Sequence, residues 1–185
     1  SDLNPIGAQL DLIMQFVPNA KTIGTIYNSS EINSQFQVEI LKKELVRYNV
    51  TLVEGTVSSV NDVQQVAQGL IGKIDALYVP TDNIIASAMP VLTKITTPAK
   101  VPVITGEEGP LHGGGLATVG VDYYELGKIA GNMGADILEG KAKPADMPIQ
   151  YQKEFKVKVN EPVLKTLGLQ LPESLKGKAE LGDFH

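Results

Sequence analysis

The chain has 185 residues and a formal net charge of −5, with 43% hydrophobic and 20% charged residues. This length suits one domain, or one domain and part of another, and the composition is that of a globular protein that can bury a core. Arg47 is the one arginine, and the acidic balance argues against a nucleic-acid partner, because phosphate contacts require clustered lysine and arginine.

Residue types that build metal centres and catalytic triads are scarce. Cysteine is absent, so the chain has neither a disulfide nor a thiolate-metal site. Histidine occurs only at His112 and His185, which argues against a histidine-rich metal site and against a Ser-His-Asp triad. We therefore expect no metal and no other cofactor.

Short apolar segments alternate with amphipathic ones along most of the chain. Asn4 and Pro5 predict the start of a first helix, as its cap and its first helical residue. Predicted strands cover residues 22–27, 50–57, 75–79, 101–105 and 116–121. Predicted helices cover about 35–48, 59–71, 84–95 and 122–140. This alternation predicts an α/β fold, a doubly wound and mostly parallel sheet with helices on both faces.

Three features depart from this pattern. Pro90 lies inside the predicted helix 84–95, where a proline costs about 3 kcal/mol and predicts a kink or a late helix start. The glycine run at 112–115 indicates a flexible connector. After Gly140 we expect a linker, two short extended pieces at 147–151 and 155–159, a short helix at 161–167, and a polar tail.

Polar residues follow several predicted strands at the point where each strand ends. The first strand is followed by Asn28, Ser29 and Ser30, with Asn33 and Ser34 in the next helix; the third is followed by Thr81, Asp82 and Asn83; and the fourth by Glu107. Parallel strands bring such loops to one edge of the sheet, where α/β proteins bind ligands. Hydroxyls and free helix amides can donate hydrogen bonds to an anion, and carboxylates can bind a cation. The site therefore suits a ligand that carries both a carboxylate and an ammonium group.

Each of these residues also has a purely structural interpretation. Ser30, Ser34 and Asp82 are good helix caps, and Glu107 could be a solvated loop residue. Two other classes of protein remain as alternatives. A receiver-like signalling domain needs an acidic pair after the first strand and a lysine after the last, which this chain lacks. A small α/β enzyme acting on a phosphate or sugar needs a base or nucleophile, and no convincing one is present.

Four stretches of the sequence carry a resemblance to a known family: YNSSEINS at 27–34, PTDN at 80–83, GVDYYELG at 120–127 and LGLQLP at 167–172. In this order they resemble the substrate-binding proteins of bacterial ABC importers, and more closely the branch that includes tryptophan and tyrosine importers of Gram-positive bacteria. The resemblance runs from Ser1 to about Glu180. It implies two lobes of type I periplasmic-binding-protein fold, a ligand clamped between them, and no enzymatic activity.

The resemblance also implies a ligand, partners and a location. The ligand would be an amino acid, most simply an aromatic one, and the partner a membrane permease. By analogy, residues 29–34 would hold the carboxylate or other polar groups, Asp82 the ammonium, and Glu107 a rim position. Aromatic contacts would come largely from the other lobe. The full-length protein would be extracytoplasmic, as a cell-surface lipoprotein.

The same resemblance divides the chain. Residues 1–115 would form lobe two, 116–140 a strand and helix belonging to lobe one, 141–172 the return crossing and C-terminal helix, and 173–185 a tail, with most of lobe one absent. Helix 122–140 would then expose apolar and glycine residues, and we expect the chain to self-associate through it. The apolar residues are Leu126, Ile129, Ala130, Met133 and Ile137, and the glycines are Gly127, Gly131 and Gly134.

Overall fold

A seven-stranded sheet forms the centre of the chain in a computed structural model, which describes residues 1–184. Its order is β2-β1-β3-β4-β5-β6-β7, and every neighbouring pair is parallel except β5 and β6, which are antiparallel. The predicted α/β fold with a mostly parallel sheet is confirmed. The strands are β1 (Thr22–Asn28), β2 (Thr51–Val57), β3 (Ala76–Val79), β4 (Val103–Thr105), β5 (Ala117–Gly120), β6 (Lys156–Asn160) and β7 (Glu180–Gly182).

Helices cover both faces of this sheet and create two cores. One core contains apolar residues of α1, α2 and α6, and the other contains those of α3 and α4. Strand β3 serves both, because alternate side chains of a strand point to opposite faces: Ala76 and Tyr78 enter the first core, Leu77 and Val79 the second. The helices are α1 (Ile6–Phe16), α2 (Ile32–Leu45), α3 (Val63–Leu70), α4 (Asn83–Thr96), α5 (Tyr123–Leu138) and α6 (Glu161–Leu167).

The start of α1 differs from the prediction. The helix begins at Ile6 with Pro5 in the cap position, so the predicted capping role of Asn4 is wrong. Asn4 is buried, and its side chain instead bonds to Thr81 and to the backbone of Val121. A side chain that satisfies two distant loops cannot also cap its own helix.

Helix α4 begins at Asn83 and runs through Pro90, so the predicted late start at this proline is wrong. Pro90 lies on the exposed side of the helix, whereas Ile85, Met89 and Leu92 are buried on the other side. Burial of apolar side chains both before and after the proline outweighs the loss of one backbone hydrogen bond.

The segment 112–115, a histidine followed by three glycines, is packed against α4. The prediction that it forms a flexible connector is therefore wrong. A Cβ on Gly113 would lie 2.4 Å from Cβ of Met89, and the Thr93 hydroxyl donates a hydrogen bond of 2.7 Å to the carbonyl of Gly113. Gly114 has a φ of +98°, which favours glycine. These glycines are therefore needed for the chain to pass close to the helix.

The C-terminal part of the chain contains structure that the sequence pattern did not reveal. The extended piece predicted at 147–151 forms no strand, and the following strand is β6 (Lys156–Asn160). The tail, which the sequence indicates only as a polar segment with little structural signal, contributes β7, which pairs with β6 in parallel, and its Phe184 is buried. A strand of three residues is too short to carry a periodic signal, and only its pairing with β6 defines it.

The segment predicted to leave this lobe, residues 116–140, divides into two parts. Its strand β5 pairs with β4 and β6 and therefore lies in the same sheet as residues 1–115. Its helix α5 differs, since none of its 16 residues is buried. The chain thus leaves the sheet at Gly120, five residues later than the boundary expected from the sequence.

Two glycine substitutions test this description of the packing. Gly113→Ala should lower the free energy of unfolding by roughly 1–3 kcal/mol, because its methyl group would overlap Met89. In Gly127→Ala, on α5, the new methyl group would meet no atom within 4 Å other than the backbone and chain neighbours of its own helix among residues 1–184, so stability should rise by up to about 1 kcal/mol. Urea denaturation of both variants measures the difference, and equal effects would contradict the close packing at Gly113.

Candidate ligand-binding site

The loops after β1, β3 and β4 lie side by side at the carboxyl edge of the sheet, because these three strands are neighbours in it. All nine predicted site residues lie at the end of β1, on these loops or on the helix starts that follow. Asn28, Ser34 and Asp82 are buried, while Thr81 and Glu107 are half-buried. The exposed polar residues of this rim are Ser29, Ser30, Asn33 and Asn83.

Asp82 joins three elements through one buried carboxylate. Its Oδ2 accepts hydrogen bonds from the backbone nitrogen of Asn28 at 2.7 Å and from the Ser34 hydroxyl at 2.8 Å. Its Oδ1 accepts one from the backbone nitrogen of Ile85 at 3.0 Å, which caps α4. Asp82 is 3% exposed. A contact with a ligand ammonium therefore remains a prediction, and it would require these bonds to be shared or broken.

Thr81 is the second point at which the loops meet. Its carbonyl oxygen lies 2.9 Å from Nδ2 of Asn33 and 3.0 Å from the Ser34 hydroxyl. Its backbone nitrogen donates to Oε1 of Gln37 at 3.2 Å. Gln37, one turn further along α2, was missed by the sequence analysis, which considered only the residues nearest the strand end. The β1 and β3 loops are thus bonded directly to each other.

Glu31 was also missed as a site residue, although it lies within the loop. It occupies the cap position of α2, yet its side chain makes no capping bond there. Its carboxylate instead accepts bonds from the backbone nitrogen of Asn83 at 3.1 Å and from Nδ2 of Asn83 at 3.2 Å. The first amides of a helix have no partner inside the helix, so the N-terminus of α2 remains open to an anion beside Ser29 and Ser30.

Glu107 belongs to the same edge but has different contacts. Its Oε2 accepts a bond of 2.9 Å from the backbone nitrogen of Gly109, and the Thr105 hydroxyl donates to its carbonyl oxygen at 2.8 Å. Tyr123 lies at the start of α5, and the negative charge of Glu107 acts on its hydroxyl group. Burial and the negative charges of Glu107 and Asp2 raise the pKa of Tyr123. The rim therefore extends as an acidic and aromatic surface toward α5.

The buried side-chain amide of Gln9, in α1, holds the loop after β4 and the strand β5 together, and the sequence analysis missed this role. Nε2 of Gln9 donates to the carbonyls of Gly106 and Val119, each at 2.9 Å, and its Oε1 accepts a bond of 2.7 Å from the Tyr78 hydroxyl. Burial raises the pKa of Tyr78. One signal was available: Gln9 comes three residues after Ile6, so it lies on the apolar face of the helix.

A cavity of about 640 Å³ lies beside the rim, between β5, the start of α5 and residues 150–156. It is lined by both charged and aromatic side chains, including Glu108, Asp122, Tyr151, Phe155 and Lys158. Nζ of Lys158 lies 2.6 Å from Oε2 of Glu108, so these two charges are paired. None of the nine predicted site residues lines this cavity.

Residues 1–184 contain no group of three histidine, aspartate or glutamate side chains that could hold a metal ion. Over the same range, no helix is both long enough and apolar enough to cross a membrane.

The two aspartates that cap helices offer a direct test of the Asp82 network. Asp82→Ala should lower the free energy of unfolding by roughly 2–4 kcal/mol, since it leaves buried donors of Asn28 and Ile85 unpaired. Asp122→Ala removes a cap from the more exposed α5 and should cost about 1 kcal/mol. Urea denaturation compares the two, and an equal loss would contradict a linking role for Asp82.

Comparison with known proteins places the chain in a family. The family model for ABC transporter substrate binding protein matches residues 1–181. A curated relative, "Tyrosine-binding protein" of Clostridioides difficile, is 42% identical over 170 residues, which are 92% of this chain and 49% of the relative. The chain spans about half the length of the curated relatives it matches.

Solved structures give the same result. A ligand-free, open substrate-binding protein with adhesive properties from Clostridium difficile is 41% identical with a TM-score of 0.83, covering 99% of this chain and 61% of the other. A Streptococcus pneumonia protein in complex with L-Trp is 36% identical with a TM-score of 0.88, covering 98% and 62%. Both have the α/β fold of periplasmic binding proteins. The chain therefore belongs to the ABC transporter substrate-binding proteins, a family of binding proteins and not of enzymes.

Proposed function

We propose that the protein is the extracytoplasmic solute-binding component of an ABC importer and that its ligand is an amino acid, with an aromatic one preferred. The observation that carries this proposal is the open N-terminus of α2 beside exposed hydroxyls and acidic loops, in a chain of the substrate-binding family. The printed names of two relatives support the ligand class, since one is called tyrosine-binding and the other is a complex with L-Trp.

The ligand carboxylate would bind at the start of α2. Its first amides point toward the same edge as the exposed Ser29 and Ser30, and their partial positive charge favours an anion. The Glu31 carboxylate bonds to Asn83 and the Asp82 carboxylate to the Ser34 hydroxyl, so neither occupies the first amides of α2. Asn33, which is exposed, contributes an amide side chain nearby.

The ligand ammonium would meet an acidic side chain of the rim. Glu107 is half-buried, whereas Asp82 is 3% exposed and already accepts three hydrogen bonds. We therefore favour Glu107 for direct contact, with Asp82 holding the loops in place. Tyr123 is 52% exposed and lies in the electrostatic range of Glu107, so an aromatic ligand side chain could stack on it.

A single rim leaves a ligand largely in water, so we propose that a second lobe closes over it. Relatives are about twice as long as the matched region, which leaves room for such a lobe. Helix α5 would pack on that lobe, since none of its residues is buried here, and residues 141–155 would return the chain to β6. Closure excludes water and strengthens every polar contact.

The location and partner follow from the same proposal. A protein that delivers an amino acid to an importer works outside the cytoplasm and docks on a membrane permease. We propose a cell-surface lipoprotein for the full-length form, which mass spectrometry of the membrane-bound protein would detect as a lipid-modified terminus.

A proline substitution tests the carboxylate site. Glu31 has φ −91° and ψ 108°, a conformation that precedes proline without strain, and Ile32 is 80% exposed. Ile32→Pro in the full-length protein should remove one free amide and weaken tyrosine or tryptophan binding by about 10-fold, or roughly 1.4 kcal/mol. Ile32→Ala, which keeps the amide, is the control, and calorimetry measures both.

Decarboxylated ligands make this test specific. Tyramine and tryptamine should bind the wild type weakly, and Ile32→Pro should not weaken them further. Equal losses for tyrosine and tyramine would mean that the amide does not contact the carboxylate. Native mass spectrometry of the wild type in a mixed amino-acid pool tests the ligand class itself, and retention of no amino acid would overturn the proposal.

We also propose that the 185-residue chain self-associates through α5. Its apolar stripe includes Ile137, which is 37% exposed, and burying several such side chains contributes roughly 1.5–3 kcal/mol each. Light scattering should show a dimer or larger species that Ile129→Glu with Met133→Glu dissociates. Lys128→Gln with Asn132→Glu changes the net charge equally on the same helix and should leave the species intact. A monomeric wild type would contradict this proposal.

A further inference from the structure

Three segments of the chain lie together where it leaves the sheet. The N-terminal ammonium of Ser1 donates to the carbonyl of Gln150 at 2.6 Å, and the backbone nitrogen of Asp122 donates to Oε1 of Gln152 at 2.8 Å. We call residues 1–4, 120–122 and 150–152 the junction. Because α5 and residues 141–155 extend beyond it, any movement of those parts relative to the sheet must pass through the junction.

Asn4 connects the junction to the rim through its two amide atoms. Its Oδ1 accepts a hydrogen bond of 3.2 Å from the backbone nitrogen of Val121. Its Nδ2 donates one of 2.7 Å to the Thr81 hydroxyl. The residue is 4% exposed, so neither bond can be exchanged readily for one to water.

Thr81 passes this connection to the α2 side of the rim. Its side chain meets Asn4, while its carbonyl lies within hydrogen-bond distance of Asn33 and Ser34. A displacement of Asn4 therefore changes the position of the loop that also carries Asp82. One threonine thus belongs both to the link with the junction and to the candidate site.

The packing around Asn4 leaves little space for independent movement. A Cβ on Gly120 would lie 2.5 Å from the carbonyl oxygen of Gly106 and 3.1 Å from Oδ1 of Asn4. Gly120 directly precedes Val121, so the backbone here is in close contact with the β4 loop. Tightly packed contacts of this kind transmit small shifts and do not absorb them.

We propose that Asn4 is a positioning residue that couples the junction to the ligand loop at Thr81. A change in the conformation of either one then changes the conformation of the other. The coupling to ligand rests on the proposed function; the link between Val121 and Thr81 does not. Linkage requires the effect to be reciprocal. A ligand bound at the rim should slow hydrogen exchange at the junction, and a more mobile junction should lower the affinity for the ligand.

Hydrogen exchange at the Val121 amide measures the link without ligand. In the full-length protein, Thr81→Val removes the acceptor for Asn4 but does not touch Val121, so the exchange of Val121 followed by NMR should rise about 10-fold. Thr81→Ser keeps the hydroxyl and should restore the wild-type rate. Thr81→Ala serves the same purpose as Thr81→Val if the valine variant does not fold.

Thr93→Val is the matched control. It likewise replaces a threonine hydroxyl by a methyl group, but this hydroxyl is buried on α4, where it donates to the backbone carbonyl of Gly113. It should lower global stability while leaving the relative exchange of Val121 unchanged. An unchanged Val121 rate in both Thr81→Val and Thr81→Ala would overturn the proposal, as would an equal rise in Thr93→Val.

Addition of tyrosine separates the two levels of the inference. In the wild type, saturating tyrosine should slow Val121 exchange, and Thr81→Val should abolish that slowing. Tyrosine binding without any change at Val121 would overturn the coupling while leaving the proposed function intact. A hydroxyl-dependent Val121 rate in a protein that binds no amino acid would overturn the proposed function and leave the structural link intact.

Discussion

The arrangement of the candidate site depends on the buried carboxylate of Asp82. A buried charge is costly unless hydrogen bonds satisfy it, and here the three donors come from three different elements: the end of β1, the first turn of α2 and the start of α4. Because the donors must converge on the carboxylate, the β1 and β3 loops cannot move apart independently. The network therefore holds the β1 and β3 loops in fixed positions at the edge of the sheet.

Because of this network, some polar residues of the rim hold the loops together and others remain exposed to solvent. The residues that hold the loops, such as Asn28, Ser34 and Asp82, are buried and already bonded. Ser30 remains exposed, and we propose that its hydroxyl contacts the ligand. The Glu31 carboxylate bonds to Asn83 of α4 and makes no capping bond to the amides of its own helix. Because the Glu31 side chain bonds to the start of α4, it does not occupy the first amides of α2, and we propose that the ligand binds these amides.

We propose that the rim is one wall of a ligand-binding site, and the parts of the chain beyond the sheet are consistent with this proposal. Helix α5 is amphipathic yet has no buried residue, and a Cβ on its Gly127 or Gly131 would meet no described atom within 4 Å. Such a face is normally covered by another element or another copy. The chain spans about half the length of its curated relatives, and we propose that a further part of such a longer protein covers this face.

The sequence by itself determined the sheet, the order of its first elements and the edge on which the polar loops gather. Those features follow from local periodicity and from the rule that parallel strands end on one side, and residues such as Asn28, Thr81 and Asp82 were found in that way. The tertiary structure decided what each residue does there. Asn4 was expected to cap a helix and instead links two loops; the glycines at 113 and 114 were expected to be flexible and are packed; β7 had no periodic signal at all. The physical reason is the same in each case: these roles are set by hydrogen bonds and contacts between residues far apart in the chain, and local sequence patterns carry no information about such partners.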